Sequence, residues 1–264
     1  MLSYSHGRSC SSEIATARVL LGAGLICLST LATAKPDNIT SEEMAMLPRY
    51  CPYTESFGNS GFRGAPSPGA RPWVAIMGDG FWAVHHYCWA QINLQRALRN
   101  RTPAQTRQHL LETVVADYGY VIANTKKDFI LLPEIFTRMG EAYLLLSRFN
   151  DANVAFAKAR ALKPDYWPAY SQWADFLIGH GKKPEAKLVV KAGLEYSPNS
   201  KVLQEQYRLL GGKPSEIVPR VKDLPPENTA DDSAARPLAD EAPAGDTGAE
   251  RPAGTASSTE SPAQ

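Results

Sequence analysis

Residues 133–166 read PEIFTRMGEAYLLLSRFNDANVAFAKARALKPDY, and residues 167–200 read WPAYSQWADFLIGHGKKPEAKLVVKAGLEYSPNS. With Pro164 laid over Pro198, an offset of 34 residues, large side chains meet large and small meet small. Phe136 falls on Tyr170, Met139 on Trp173, Tyr143 on Leu177 and Phe156 on Val190. Gly140 falls on Ala174, Ala152 on Ala186 and Ala159 on Gly193. Two antiparallel helices approach closely only where small side chains face one another. Each line therefore predicts a helical hairpin, with Gly140 against Ala152 in the first and Ala174 against Ala186 in the second.

The helical reading extends in both directions. Upstream, Trp82, His85, Trp89 and Ile92 recur at helical spacing, and so do Leu110, Val114, Tyr118 and Val121. Asn100-Arg101-Thr102-Pro103 separates the two runs, with Thr102 as the expected cap and Pro103 in the following first turn. Downstream, Asp165 and Ser200 are the expected caps of the next helices, and Lys201–Leu210 ends before Gly211-Gly212. No segment alternates with the period of two that a sheet requires, so the predicted fold is all-α. Residues 81–132 form a degenerate hairpin, 133–166 and 167–200 the two regular ones, and 201–212 a capping helix. Six glycines and four prolines between Cys51 and Gly80 predict a long loop within an extended segment, 35–80.

The two ends have other compositions. Arg8 and Arg18 precede an uncharged run, Val19 to Ala34, that closes on Ala32-Thr33-Ala34, the pattern of a cleaved export signal. That run is shorter than the ~20 residues of a membrane-spanning helix. Removal of residues 1–34 leaves two cysteines, Cys51 and Cys88, and an even pair in an exported chain predicts one disulfide, with free thiols or metal ligation as the alternatives. Residues 223–264 hold nine acidic residues, two arginines, six prolines and no aromatic residue, the composition of a disordered acidic tail. Residues 35–222 hold 24 basic and 17 acidic residues, so the tail and the remainder cancel. The near-neutral sum gives no support to a nucleic-acid partner.

The aromatic, Gly, Tyr, Ala, Phe, Ala and Pro positions of the two lines resemble the tetratricopeptide repeat family, whose unit is 34 residues long. Pro48-Arg49-Tyr50-Cys51, His85-His86-Tyr87-Cys88, Leu131-Leu132-Pro133-Glu134 and Lys163-Pro164-Asp165-Tyr166-Trp167-Pro168 also resemble exported bacterial members of that family with no assigned activity. The resemblance implies that the first helix of each unit lines a concave groove for a peptide or protein partner. It places Glu134, Thr137, Arg138, Glu141, Leu144 and Leu145 on that groove in one unit, and Ser171, Gln172, Asp175 and Ile178 in the next. Arg138 is the only cation among them, which disfavours a clamp for a terminal carboxylate and suits a neutral or basic segment with aliphatic anchors.

Other chemistry is sparse. No nucleophile elbow, phosphate loop or dinucleotide fingerprint is present, no cofactor is implied, and the expectation is a non-enzyme. Glu134 with Glu141, or Asp117 with Glu112, fits a solvated helix face better than a catalytic pair. His85, His86, Cys51 and Cys88 offer a metal or redox site as an alternative. Tyr166, Trp167, Tyr170 and Trp173 offer a glycan platform as another, against the simpler reading of a packing seam. The leading expectation is a periplasmic or secreted scaffold that binds a protein or peptide.

Overall fold

A computed structural model of the chain describes residues 35–220; the expected export signal and the acidic tail lie outside the described residues. The fold is all-α. The helices among the described residues are α1 (Ser41–Ala45), α2 (Arg71–Met77), α3 (Val84–Ala97), α4 (Ala104–Ala123), α5 (Leu132–Leu145), α6 (Phe149–Leu162), α7 (Pro168–Gly179), α8 (Lys183–Tyr196) and α9 (Lys201–Leu209). The strands among them are β1 (Gly61–Phe62) and β2 (Ala65–Pro66), which form one small antiparallel hairpin.

Helices α3 with α4, α5 with α6, and α7 with α8 pack as successive pairs. The turns inside the last two pairs are alike and lie 34 residues apart. After α5, Arg148 N–H donates to the Tyr143 carbonyl and Ser147 N–H to Leu144; after α7, Lys182 N–H donates to Leu177 and Gly181 N–H to Ile178. Both are Schellman stops, in which one residue in the left-handed region lets the chain fold back onto the last carbonyls. That residue is Ser147 (φ 58°) in one turn and Gly181 (φ 75°) in the other. Gly211 (φ 72°) ends α9 the same way, with Gly212 N–H on the Tyr207 carbonyl.

Packing within the pairs adds one detail to the expected seam. The group that closes on Gly140 is the Phe156 ring, whose edge would lie 2.9 Å from an added Cβ. Gly193 likewise sits beneath Leu203 and Tyr170, each 2.8 Å from such a Cβ. The small residues thus act as seats for large rings, and Ala152, Ala174 and Ala186 are fully buried around them. One apolar core runs from Leu47 to Ala142 and includes Tyr50, Phe81, Tyr87, Ile92 and Tyr118. A second unites Tyr170, Leu177, Val190, Leu194, Leu203 and Tyr207 from α7, α8 and α9.

The segment read as one long loop carries more structure than its composition predicts. Pro72 starts α2, and Trp73 and Met77, one turn apart, are both buried. A single turn of apolar spacing is too short to register as a period. Thr40 and Glu43 cap α1 reciprocally, and the buried Glu43 carboxylate takes Arg96 at 2.8 Å and Arg99 at 2.6 Å, which ties α1 to α3. The hydrogen bond from Arg96, with Arg99 nearby, outweighs burial and holds the Glu43 pKa at about 2. The Cys51–Cys88 disulfide fastens the same segment to α3 and closes a separation of 37 residues, worth about 4 kcal/mol in the chain-entropy view. Helix α3 is buried on all sides between Val84 and Ala90, as a helix under such a cover must be.

Two expected caps are not formed. Thr102 instead donates its hydroxyl to the Arg96 carbonyl at the end of α3 (2.7 Å), and Pro103 stands at the cap position of α4. Asp165 pairs with Lys163 (3.7 Å) and accepts the Ser197 hydroxyl on its carbonyl (2.7 Å), leaving α7 without a side-chain cap. Ser200 does cap α9, accepting from Leu203 N–H at 3.4 Å.

These contacts predict opposite outcomes at two neighbouring positions. Ser147→Gly relieves a left-handed backbone and should raise stability by about 0.5–1 kcal/mol. Gly140→Val should lower it by about 1–3 kcal/mol, because the methyls must displace a buried ring. Denaturant unfolding of the two variants checks both signs.

Candidate functional site

The side of α5 and α7 on which the groove residues fall continues onto α3 and α9 as one polar row. At the α3 end the Tyr87 hydroxyl donates to Glu134 Oε1 (2.6 Å), with both side chains buried. One turn further, Arg138 lies 3.7 Å from Glu134 and 3.5 Å from Glu141. The Gln172 amide, on α7, stands beside Glu141. Gln206, on α9, donates through Nε2 to the Ser171 carbonyl (3.2 Å) and to Asp175 Oδ1 (2.7 Å). The row therefore holds one cation among three carboxylates.

Its electrostatics follow from burial. Burial works against the Arg138 charge, but Tyr87, Glu141 and Glu134 outweigh it and its pKa is raised. Burial raises the Glu141 pKa by more than Arg138 and Gln172 can offset, so this carboxyl takes a proton more readily than a surface glutamate. Two amide oxygens, Gln172 Oε1 and Gln206 Oε1, are buried without a hydrogen-bond partner among the described residues. The orientation of Gln206 is fixed, because its nitrogen already serves two acceptors. The row has acceptors in excess.

Only part of it meets solvent. Glu134, Thr137 and Ser171 are buried, and the Thr137 hydroxyl is spent on the Pro133 carbonyl (2.8 Å). Arg138, Glu141, Leu144, Gln172 and Ile178 are half-buried, while Leu145 and Asp175 are exposed. Accessible surface thus concentrates toward the C-terminal ends of α5 and α7, where Leu145 (47% exposed) and Phe149 (42%) add apolar area.

The residues considered for other chemistry fall elsewhere. Cys51 and Cys88 are joined to each other, so neither offers a thiolate, and no group of three metal-ligating side chains occurs among the described residues. His86 Nδ1 pairs with Asp117 Oδ1 at 2.8 Å, both buried, and its ring stacks on Tyr120 at 3.7 Å. His85 bonds the Trp82 carbonyl (3.0 Å) and packs edge-on to Trp89 (4.9 Å). Among the described residues no hydroxyl or thiol hydrogen-bonds to the His86 ring. Glu112 is exposed and accepts from Gln108, apart from Asp117. Trp173 stacks on Phe176 (5.1 Å) and lies against Phe156 (5.8 Å), which places it in the seam between hairpins, while Trp167 packs on the second core.

Sequence reading missed three partners here: Tyr87 for Glu134, His86 for Asp117 and Gln206 for Asp175. They are separated by 47, 31 and 31 residues, and no local spacing signals such pairs. No family model matches the chain, and a search of curated proteins returns no match.

The histidine cluster yields a pH dependence. Burial, with His86 adjacent, lowers the His85 pKa from 6.5 to about 4. Between those values the unfolded chain binds a proton that the fold refuses, so stability falls as pH drops from about 6.5 toward 4, by roughly 3 kcal/mol in all. His85→Gln should flatten that part of the curve of unfolding free energy against pH; an unchanged slope would show that another group carries it.

Proposed function

We propose that this chain is an exported scaffold of the tetratricopeptide type, without enzymatic activity of its own, that binds a segment of a protein or peptide partner along the α5–α7–α9 face. The observation that carries the reading is the solvent-facing end of the row, where the half-buried Glu141 and the exposed Asp175 offer carboxylate acceptors. Such a row calls for donors, and an extended segment supplies them through backbone N–H groups, lysine or arginine. Leu144, Leu145 and Ile178 beside it suit aliphatic anchors. The 34-residue repetition of turns and hydrogen bonds supports the family reading, since it is the spacing expected of that unit. The Cys51–Cys88 disulfide supports an oxidising compartment such as the cell envelope or the exterior. No helix among the described residues is long and apolar enough to cross a membrane.

Binding of labelled extended peptides with leucine anchors and basic, neutral or acidic flanks tests the proposal by fluorescence anisotropy. Basic and neutral peptides should bind, and acidic ones should bind at least about tenfold more weakly, a difference of about 1.4 kcal/mol. Asp175→Lys should reverse the charge preference, and Leu144→Asp should weaken every peptide, with helicity unchanged in both variants. Envelope proteins captured by the wild-type chain should be lost on the same two variants. Indifference to peptide charge, or capture that survives both substitutions, would overturn the assignment of this face.

A further inference from the structure

The charge of the C-terminal part of the fold is unbalanced in one place. From Lys182 to Arg220 there are eight basic and four acidic residues. Each of the four carboxylates is already tied to a cation: Glu185 to Lys182 (3.8 Å), Glu195 to Arg220 (2.7 Å), Glu205 to Arg208 (2.6 Å) and Glu216 to Lys213 (3.2 Å). Lys183, Lys187 and Lys191 recur every four residues on α8 and so stand above one another. Lys183 and Lys191 are exposed, with no carboxylate paired to them among the described residues. Lys187 is partly covered, its ammonium on the Gly211 carbonyl (2.9 Å) and 5.6 Å over the Tyr207 ring. Like charges at this spacing destabilise a helix.

The chain leaves the described fold beside this row. Arg220 N–H donates to the Glu195 carbonyl (2.7 Å), and its guanidinium pairs with the Glu195 carboxylate and lies 5.8 Å from the Tyr196 ring centre. That point is one helical turn beyond Lys191. Residues 223–241 follow almost at once, and hold Asp223, Glu227, Asp231, Asp232, Asp240 and Glu241 against the single cation Arg236. Helix α8, with 14 residues, is about 21 Å long, whereas 19 residues of chain extend to about 60 Å. Length and charge both permit a return along the helix.

We propose that residues 223–241 dock back on the Lys183–Lys187–Lys191 face of α8, as an intramolecular strap that withholds these lysines from other polyanions. The strap lies on the second helix of its hairpin and leaves the proposed peptide face to a different occupant, so the two readings stand or fall separately. A tether supplies a high local concentration of carboxylates, which lets several weak, solvent-exposed pairs act together.

Lysine acetylation rates in the full chain, read by mass spectrometry, test the strap. They are compared with a variant in which the six acidic residues of 223–241 become Asn or Gln; these substitutions lie outside the described fold and spare its packing. Lys183 and Lys191 should react roughly threefold or more slowly in the unaltered chain, as a weak contact at millimolar effective concentration would give. The difference should vanish at 1 M salt, where the screening length is about 3 Å. Lys126 and Lys127, exposed before α5, should be indifferent. Carbodiimide should join the α8 lysines to tail carboxylates within one chain. Equal rates in the two chains would overturn the proposal. So would protection that survives neutralisation or grows with protein concentration, the latter being the mark of a second copy.

Discussion

The closure of the Phe156 ring onto Gly140 is the contact on which the stack depends. Helix α6 buries little else of size, since its other buried residues are Ala152, Ala155 and Ala159. One ring on one glycine thus sets how near α6 comes to α5, and the same ring meets Trp173 on α7. Any side chain at residue 140 would push α6 outward and carry the following helices with it. The second hairpin answers with the inverse arrangement, in which Gly193 of α8 receives Tyr170 from α7 and Leu203 from α9.

That spacing also sets what the polar row can do. Because α5, α7 and α9 stand close, side chains two or three atoms long reach from one to the next, and Gln206 can serve Ser171 and Asp175 together. The carboxylates of the row are shared out along it, with Arg138 between Glu134 and Glu141, so the face is acidic in sum without a bare pair of like charges in contact. At the N-terminal end of α5 Tyr87 of the disulfide-held region covers Glu134, while Leu145 and Asp175 remain exposed.

Much of the fold was legible because the features that specify it are local. Gly140, Ala152, Ala174 and Ala186 announce the hairpins by size, and Gly181 announces its turn by type. Ser147 makes the same turn with a residue that carries no such signal, and α2 rests on Trp73 and Met77 alone, too few to show a period. The misplaced caps have a common cause: the Thr102 hydroxyl turns back to the Arg96 carbonyl and the Asp165 carboxylate to the Lys163 ammonium, each a nearby group that competes with the helix end. The polar row was legible on its α5 and α7 sides, where register places residues. Tyr87 and Gln206 were not, because they reach it from helices brought near only by tertiary packing.

The division of the apolar interior at α6 has an evolutionary corollary. The first core, from Leu47 to Ala142, holds the disulfide, whereas α7, α8 and α9 share a separate one, and α6 stands between them with Phe156 on Gly140 and against Trp173. Duplication or deletion of a unit at α6 would lengthen or shorten the protein without disturbing either core. The architecture is thus open to growth by whole modules, each new one lengthening the polar row while the disulfide-held base and α9 stay as they are.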